Sequence, residues 1–506
     1  MNQKQRRRSL AIGSLAVVSA LALTGCFSNG GAGTGAAGGE SARIRVAMAL
    51  EPVAGLSVFS DDASTVSRWG AIESLVQLDE TGAAQPRLAT EWKQIDDLTW
   101  EFALREGVTF QDGTKLDAKA VVNSLQKALA AKPLPRSVAG LQMTFDTPDD
   151  VTVRITTGTP EPILPQRLSS PQLAILSAAA YTADGTASPV GTATGPFKVT
   201  NVGGKSTFTL DRYDGYWGEK AKAPGIDVTI VTDGTARAAA LRTGTADVAV
   251  ALPISQLPQI DPELVQEFPS PRTTTLYMNT AKGVFADPAM RAAARAAIDP
   301  SVLANDVYEG RADAAQGLFG PALPWAKDLR GNVASSVAPG DPQGKQITLA
   351  TYSDRPELPE DATRIQQELE KAGFVVKQDV RTNANFIKDA LSGAFDLVIG
   401  SRSTQLDTGD PVSFLASDFT CKSTGLNFAQ LCNPEVDAAV ANASAQKAGP
   451  DRQKAIMGVE AMLLQQNVIV PLVNERLAQG QATGVSGVVR DPFERRLITN
   501  ETTAAR

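Results

Sequence analysis

With 48 basic and 55 acidic side chains among 506 residues the chain has a net charge of −7, and it offers no basic patch for neutralising nucleic-acid phosphates. Histidine is absent throughout, which excludes Ser-His-Asp and Cys-His nucleophile systems, HExxH zinc sites and nearly all imidazole metal ligation. No cofactor and no metal site is expected, and a chain this long outgrows a single core, so two or three packed units are expected.

The amino-terminal segment reads as an address. Lys4 and Arg6 to Arg8 precede an apolar or small run from Leu10 to Leu23, too short to span a bilayer comfortably but suited to a secretion signal over residues 1–25. Leu23, Thr24, Gly25 and Cys26 end it and resemble the bacterial lipobox, which implies cleavage before Cys26 and a lipid on that cysteine. Residues 26–42 then form a Gly- and Ala-rich tether with a reach on the order of 20 Å. The first 25 residues hold four cations and no acid, so the remaining 481 carry −11. No second long apolar run follows, so the body is expected to be soluble on the extracytoplasmic face of the membrane.

Residues 43–50 have the β-rich pattern of a first strand. Trp100, Phe102 and Leu104 alternate with polar residues and predict one buried strand face. Gly107 and the Asp112-Gly113 pair predict turns around a short strand, Val108 to Phe110. Asp117 is placed to cap a helix with Val121, Val122, Leu125 and Leu129 at helical spacing. Further on, the pattern alternates: strand 346–352, helix 361–372 closed by Gly373, strand 374–380, helix 383–391 and strand 395–400. Such alternation gives a parallel or mixed sheet wrapped by helices, with ligands bound beyond the carboxyl ends of the strands, here the loops after Tyr352 and Gly400.

The stretch Leu88 to Leu125 resembles the hallmark region of the bacterial extracellular solute-binding proteins of peptide and nickel importers, family 5. Three further blocks resemble the same family in the same order. They are Gly195 to Val199 with Tyr216, Trp217, Gly218 and Ala236 to Val248; Leu276 to Thr280 with Met290 to Pro300; and Asn433 to Asp437 with Val470 to Leu472. The resemblance spans nearly all of residues 43–490. It implies an α/β, two-lobe periplasmic-binding-protein-like fold with mixed sheets and an extra subdomain on the first lobe, the cluster C type. Lobe I is expected over 43–261, with the inserted subdomain at about 57–185, lobe II over 262–472, and a return to lobe I over 473–506. Closure about the ligand is expected to be a hinge motion.

The loop after Gly400 carries Asp407, Thr408, Gly409, Asp410 and Pro411. Dipeptide-binding relatives have a similar Asp-x-Gly-Asp-Pro whose first Asp holds the peptide ammonium, which implies that role for Asp407; the other reading is a turn or helix cap, work that suits Asp410. Arg355, before Pro356, matches an Arg-Pro that meets the peptide carboxylate in those relatives, and is weighed against a surface salt bridge. Arg402, in the same loop as Asp407, is a second cation candidate. Phe59, Trp69, Trp325 and Tyr277 are candidates to wall a pocket or to pack in the core, and Trp92, Trp100 and Trp217 are read as packing. Cys421 and Cys432 are read as a disulfide, against a metal site or a reactive thiol.

Three motifs mislead. Gly203 to Ser206 suggests a phosphate loop but lacks its first glycine and reads as a hairpin turn. Ser124 and Lys127 have the Ser-x-x-Lys spacing of penicillin-recognising acyl-enzymes, yet no Lys-Thr-Gly follows. The pairs Asp61-Asp62 and Asp149-Asp150 read as solvated turns rather than glycosidase carboxylates. The resulting expectation is a non-enzymatic, monomeric lipoprotein that captures di- to oligopeptides for the permease subunits of an ABC importer. The alternatives are a non-peptide solute (a nickel or other metal chelate, haem, an opine or an oligosaccharide) or a signalling or adhesive lipoprotein that binds a membrane partner without transport.

Overall fold

The computed structural model describes residues 41–183, 185–405, 408–423 and 425–505. The signal segment, Cys26 and most of the tether lie outside the described residues. A mixed sheet of eleven strands runs through the protein. Its order is Val375–Arg381, Gln346–Tyr352, Leu397–Ser403, Val265–Met278, Ile469–Gln481, Val248–Ala249, Ile44–Met48, Gly225–Ile230, Thr207–Arg212 and Phe197–Gly203, with Asp313–Ala314 pairing off this path. Ile44–Met48 is parallel to both of its neighbours and buried at every position but Arg45, as expected of a parallel strand covered on both faces. The Gly203 to Ser206 segment is the turn between two antiparallel strands.

Two strands, Val265–Met278 and Ile469–Gln481, are far longer than the others and cross from one half of the sheet to the other. Val265 to Pro269 pair with Gly480 to Arg476, and after a register shift Thr273 to Tyr277 pair with Asn474 to Ile469. Pro269 and Pro271 lack the N–H a continuous ladder needs, so the break falls where the chain cannot donate. Such an irregularity bends and twists the sheet locally.

In the first half a separate antiparallel sheet has the order Ala89–Gln94, Thr99–Leu104, Thr152–Thr157, Met143–Asp149. Trp100, Phe102 and Leu104 share its buried face, and Asp117 caps the helix Ala118–Ala130 by accepting from the Ala120 N–H at 2.8 Å. The strand expected at Val108 to Phe110 is reduced to a single bridge, Thr109 with Lys115. The reason is a tight turn in which Phe110 N–H donates to Thr114 O and Gly113 N–H to Phe110 O, while Gln111 N–H is drawn off to Ala193 O. Ser124 exchanges hydrogen bonds with the Leu176 backbone in the core, whereas Lys127 is exposed. The two face different environments, which removes the acyl-enzyme geometry.

In the second half Gln346–Tyr352 lies parallel between Val375–Arg381 and Leu397–Ser403, with helices Glu357–Lys371 and Asn383–Leu391 as the crossovers. The first of these helices starts four residues before the expected Asp361, because Glu357 and Glu360 favour a first turn and Asp361 is fully buried inside the helix. The strand expected to end at Gly400 runs on to Ser403, since Ser401 to Ser403 keep pairing with Thr274 to Arg272. Cys421 and Cys432 are bonded to each other, closing a loop short enough to contribute roughly 2 to 3 kcal/mol. Among the described residues no helix is long and apolar enough to cross a membrane.

Candidate functional site

The carboxyl ends of the second-half strands meet the break in the long strands, and a cluster of charge is buried there. Glu475, at the break in Ile469–Gln481, accepts from Arg355 Nη1 at 2.6 Å, from Thr274 Oγ1 at 3.0 Å and from the Ser401 hydroxyl. Arg355 Nη1 also donates to Ser401 Oγ at 3.2 Å. Arg272 stands on the neighbouring long strand with its Nε 4.0 Å from the same carboxylate. Burial alone would raise the Glu475 pKa, but Arg355 and Arg272 outweigh it and hold the carboxyl below its ordinary range. Burial likewise opposes the charge on Arg355, and Glu475 overcomes that effect to raise its pKa. Arg272 is different: burial first, and then the adjacent Arg355, push its pKa down despite Glu475 and Glu494.

A polar chain leads from this cluster into the core. Thr274 Oγ1 lies 3.5 Å from the Tyr308 hydroxyl, which donates to Asp361 Oδ2 at 3.0 Å. Burial pushes Asp361 up to about 8, against the Tyr308 hydrogen bond and with help from Glu475, Glu357 and Glu360. Its other oxygen, Oδ1, has no partner.

The expected site residues fall into distinct groups. Arg355 is in the cluster, neutralised by Glu475. Arg402 is not in the loop with Asp407; it sits on the extended strand, where Nε and Nη2 grip the buried Asp418 carboxylate at 2.8 and 3.1 Å, because alternation turns it to the opposite face from Ser401 and Ser403. Asp407 lies outside the described residues. Its flanks Gln405 and Thr408 are buried, and Asp410 caps helix Pro411–Phe419 through the Val412 N–H while binding Arg452 through both carboxylate oxygens. Phe59 is in the first-half core, stacked on Tyr181 at 6.2 Å. Trp69 and Tyr277 are fully buried too. Trp325 is half-buried and lines a cavity of about 320 Å³ together with Thr81 to Ala83, Gln166, Gly409 to Pro411 and Arg452.

That cavity borders a close approach between two loops. A Cβ on Gly82 would lie 2.8 Å from the Gly409 carbonyl oxygen, and one on Gly409 would lie 2.1 Å from Leu78 Cδ1. A second cavity of about 260 Å³ borders the hairpin that carries Gly82, in which Val76–Leu78 pair with Ala84–Pro86, and is lined by Glu73, Leu78, Arg87, Asp491, Arg495 and Arg496. Arg87 pairs with Glu73 at 2.6 Å. The arrangement can hold a polar solute between fixed charges but contains no activated nucleophile paired with a base.

Sequence reasoning did not single out Arg272, Glu475, Thr274, Tyr308 or Asp361. One signal was present: Glu475 comes soon after the apolar run Val470 to Val473, and Arg272 stands among Pro269, Pro271 and three threonines, charges set beside uncharged stretches of strand.

A family model described as bacterial extracellular solute-binding proteins, family 5 Middle, matches residues 83–425. The chain is 27% identical over 426 residues to the probable D,D-dipeptide-binding periplasmic protein DdpA of Escherichia coli K12, covering 80% of this chain and 82% of that protein. It is 26% identical over 380 residues to the nickel-binding protein NikA of Staphylococcus aureus, covering 73% and 76%. Its fold is similar to that of a dipeptide-binding protein from Pseudoalteromonas sp. SM9913 in complex with Met-Leu, with a TM-score of 0.75 at 20% identity over 91% of this chain and all of that one. The match over residues 83–425, set on this α/β fold, places the chain in the bacterial extracellular solute-binding proteins, family 5, as the solute-binding component of an ABC importer.

Proposed function

We propose that the solute is a peptide of two to a few residues, held between two lobes and delivered to the permease by a monomer tethered through lipid on Cys26. The family is extracytoplasmic, and its members bind solutes for transport rather than transform them. The observation that carries the peptide reading is the Asp407 to Pro411 segment, similar to the Asp-x-Gly-Asp-Pro of dipeptide binders. Its downstream end is held rigid by the Asp410 pair with Arg452 and it follows the strand that lines the charged cluster. An ammonium group against Asp407 is a strong charge-assisted contact once water is excluded. The long strands are the proposed hinge, with lobe I over 43–261, lobe II over 262–472 and the return over 473–506.

The second reading is a metal chelate, favoured by the similarity to a nickel-binding protein. With no histidine in the chain, recognition would rest on the charge and shape of the chelator rather than on direct ligation. Thermal shift and calorimetry against di- to pentapeptides and nickel chelates separate the two. Peptides with a free amino terminus are expected to stabilise the wild type, and Asp407→Ala is expected to weaken them at least a hundredfold without lowering the ligand-free melting temperature. Stabilisation by chelates alone, or equal peptide affinity in Asp407→Ala, contradicts the reading. The anchor has its own test: Cys26→Ala is expected in the medium, and its retention on membranes contradicts lipidation.

A further inference from the structure

The cluster at the crossing strands holds more positive than negative charge, and the surplus is on Arg272. Glu475 already accepts from Arg355, Thr274 and Ser401. Glu494, which also attracts Arg272, stands 3.7 Å from Arg68. Three guanidinium groups therefore face two carboxylates. The Arg272 guanidinium donates no hydrogen bond to any described residue and has only the 4.0 Å approach to Glu475, although its side chain is just 21% exposed. A desolvated cation left in that state is costly unless an anion meets it.

Strand geometry brings further unpaired groups next to the face of Arg272. Thr274 is opposite Ser401 and Arg272 is opposite Ser403; that Thr274 and Ser401 both reach Glu475 fixes which face this is. Past that pair Thr404 N–H donates to Pro271 O at 2.8 Å, so Ser270 and Gln405 flank the last bond of the pairing, next to Arg272 and Ser403. Ser270 is 2% exposed and its hydroxyl has no partner among the described residues; Gln405 is 1% exposed and neither its amide nitrogen nor its amide oxygen has one among them. Buried polar groups are rarely left unmatched in native proteins, and three such atoms at the end of one strand pairing point to something that completes them.

We propose that Arg272, Ser270 and Gln405, with Ser403 beside them, form an anion subsite at the crossing strands that takes a carboxylate of the solute. The guanidinium fork donates two N–H groups to the carboxylate oxygens, and the Gln405 amide and Ser270 hydroxyl donate to the remaining lone pairs. Arg355 neutralises Glu475 and leaves the surplus charge on Arg272. This rests on the solute-binding reading but not on the solute being a peptide.

The test titrates wild type, Arg272→Gln, Arg272→Lys and Gln405→Leu with di- and tripeptides, each as free acid and as carboxyl-terminal amide, and with succinate, citrate and inorganic phosphate. Wild type is expected to prefer a free carboxylate over its amide at least tenfold. Arg272→Gln is expected to lose that preference, Arg272→Lys to keep part of it, and Gln405→Leu to weaken it several-fold. Ligand-free Gln405→Leu is expected to melt at or above the wild-type temperature, since the change removes an unmatched buried amide, whereas a merely structural role would lower it. If only succinate or citrate binds, and Arg272→Gln abolishes this, the subsite stands and the peptide proposal falls. Equal binding of acid and amide by wild type, an undiminished preference in both Arg272→Gln and Gln405→Leu, binding of phosphate but no carboxylate, or no binding of any anion would overturn it.

Discussion

Asp361 shows what a single buried residue does to this fold. It is a carboxyl inside a helix, sealed from solvent, with one oxygen bonded to Tyr308 and the other unpaired. Its pKa rises from 3.8 to about 8 in the folded state, so between those values the native protein binds a proton the unfolded chain has released. Stability from this group is therefore fully present below about pH 4 and is lost as pH rises through 8, by an amount on the order of a few kcal/mol. Asp361→Asn keeps an acceptor for Tyr308 and cannot ionise. Its melting temperature is expected to match wild type near pH 5 and to exceed it by several degrees at pH 8.5; a difference that does not change with pH contradicts the assignment. Single residues were legible in the sequence when a local motif marked them, as with Asp117, Asp410 and the two cysteines. Arg272, Glu475 and Asp361 were not, because they become neighbours only through the pairing of strands and the packing of a helix from distant parts of the chain.

The elements that set the geometry are the two long strands and the two loops that touch. Strand and helix alternation over 346–403 was legible because each element carries its own hydrophobic period. Its boundaries moved where tertiary pairing extended a strand to Ser403 or acidic residues began a helix at Glu357. The loop contact was not legible: Gly82 and Gly409 look like ordinary turn glycines. Both have positive φ, 83° and 68°, and the gap between them admits no side chain. Gly82→Val is expected to cost about 1 to 2 kcal/mol from its left-handed backbone and to hold the loops apart, weakening ligand at least tenfold. Calorimetry showing unchanged affinity would detach this contact from binding.

For the whole molecule, the family likeness across nearly the entire body was readable from four ordered blocks, three of which lie within the family match over residues 83–425. What those blocks could not convey is how the charge is distributed at the crossing strands, since framework residues such as Trp100 and Trp217 carry the family signal while Arg272 and Glu475 lie outside the four blocks. Two long strands run through both halves of the sheet, with the register break between them at Pro269 and Pro271 of the first, and the loops that meet at Gly82 and Gly409 lie away from that break in sequence. The hinge proposed at these strands would change the breadth of the molecule, with ligand shifting the balance in proportion to its preference for the closed form. The most direct measurement is small-angle X-ray scattering of the body from residue 41 onward, with and without saturating peptide, alongside Gly82→Val. The account predicts a smaller radius of gyration for wild type on adding peptide and little change for Gly82→Val; a radius that stays the same in wild type under calorimetrically confirmed saturation would contradict it.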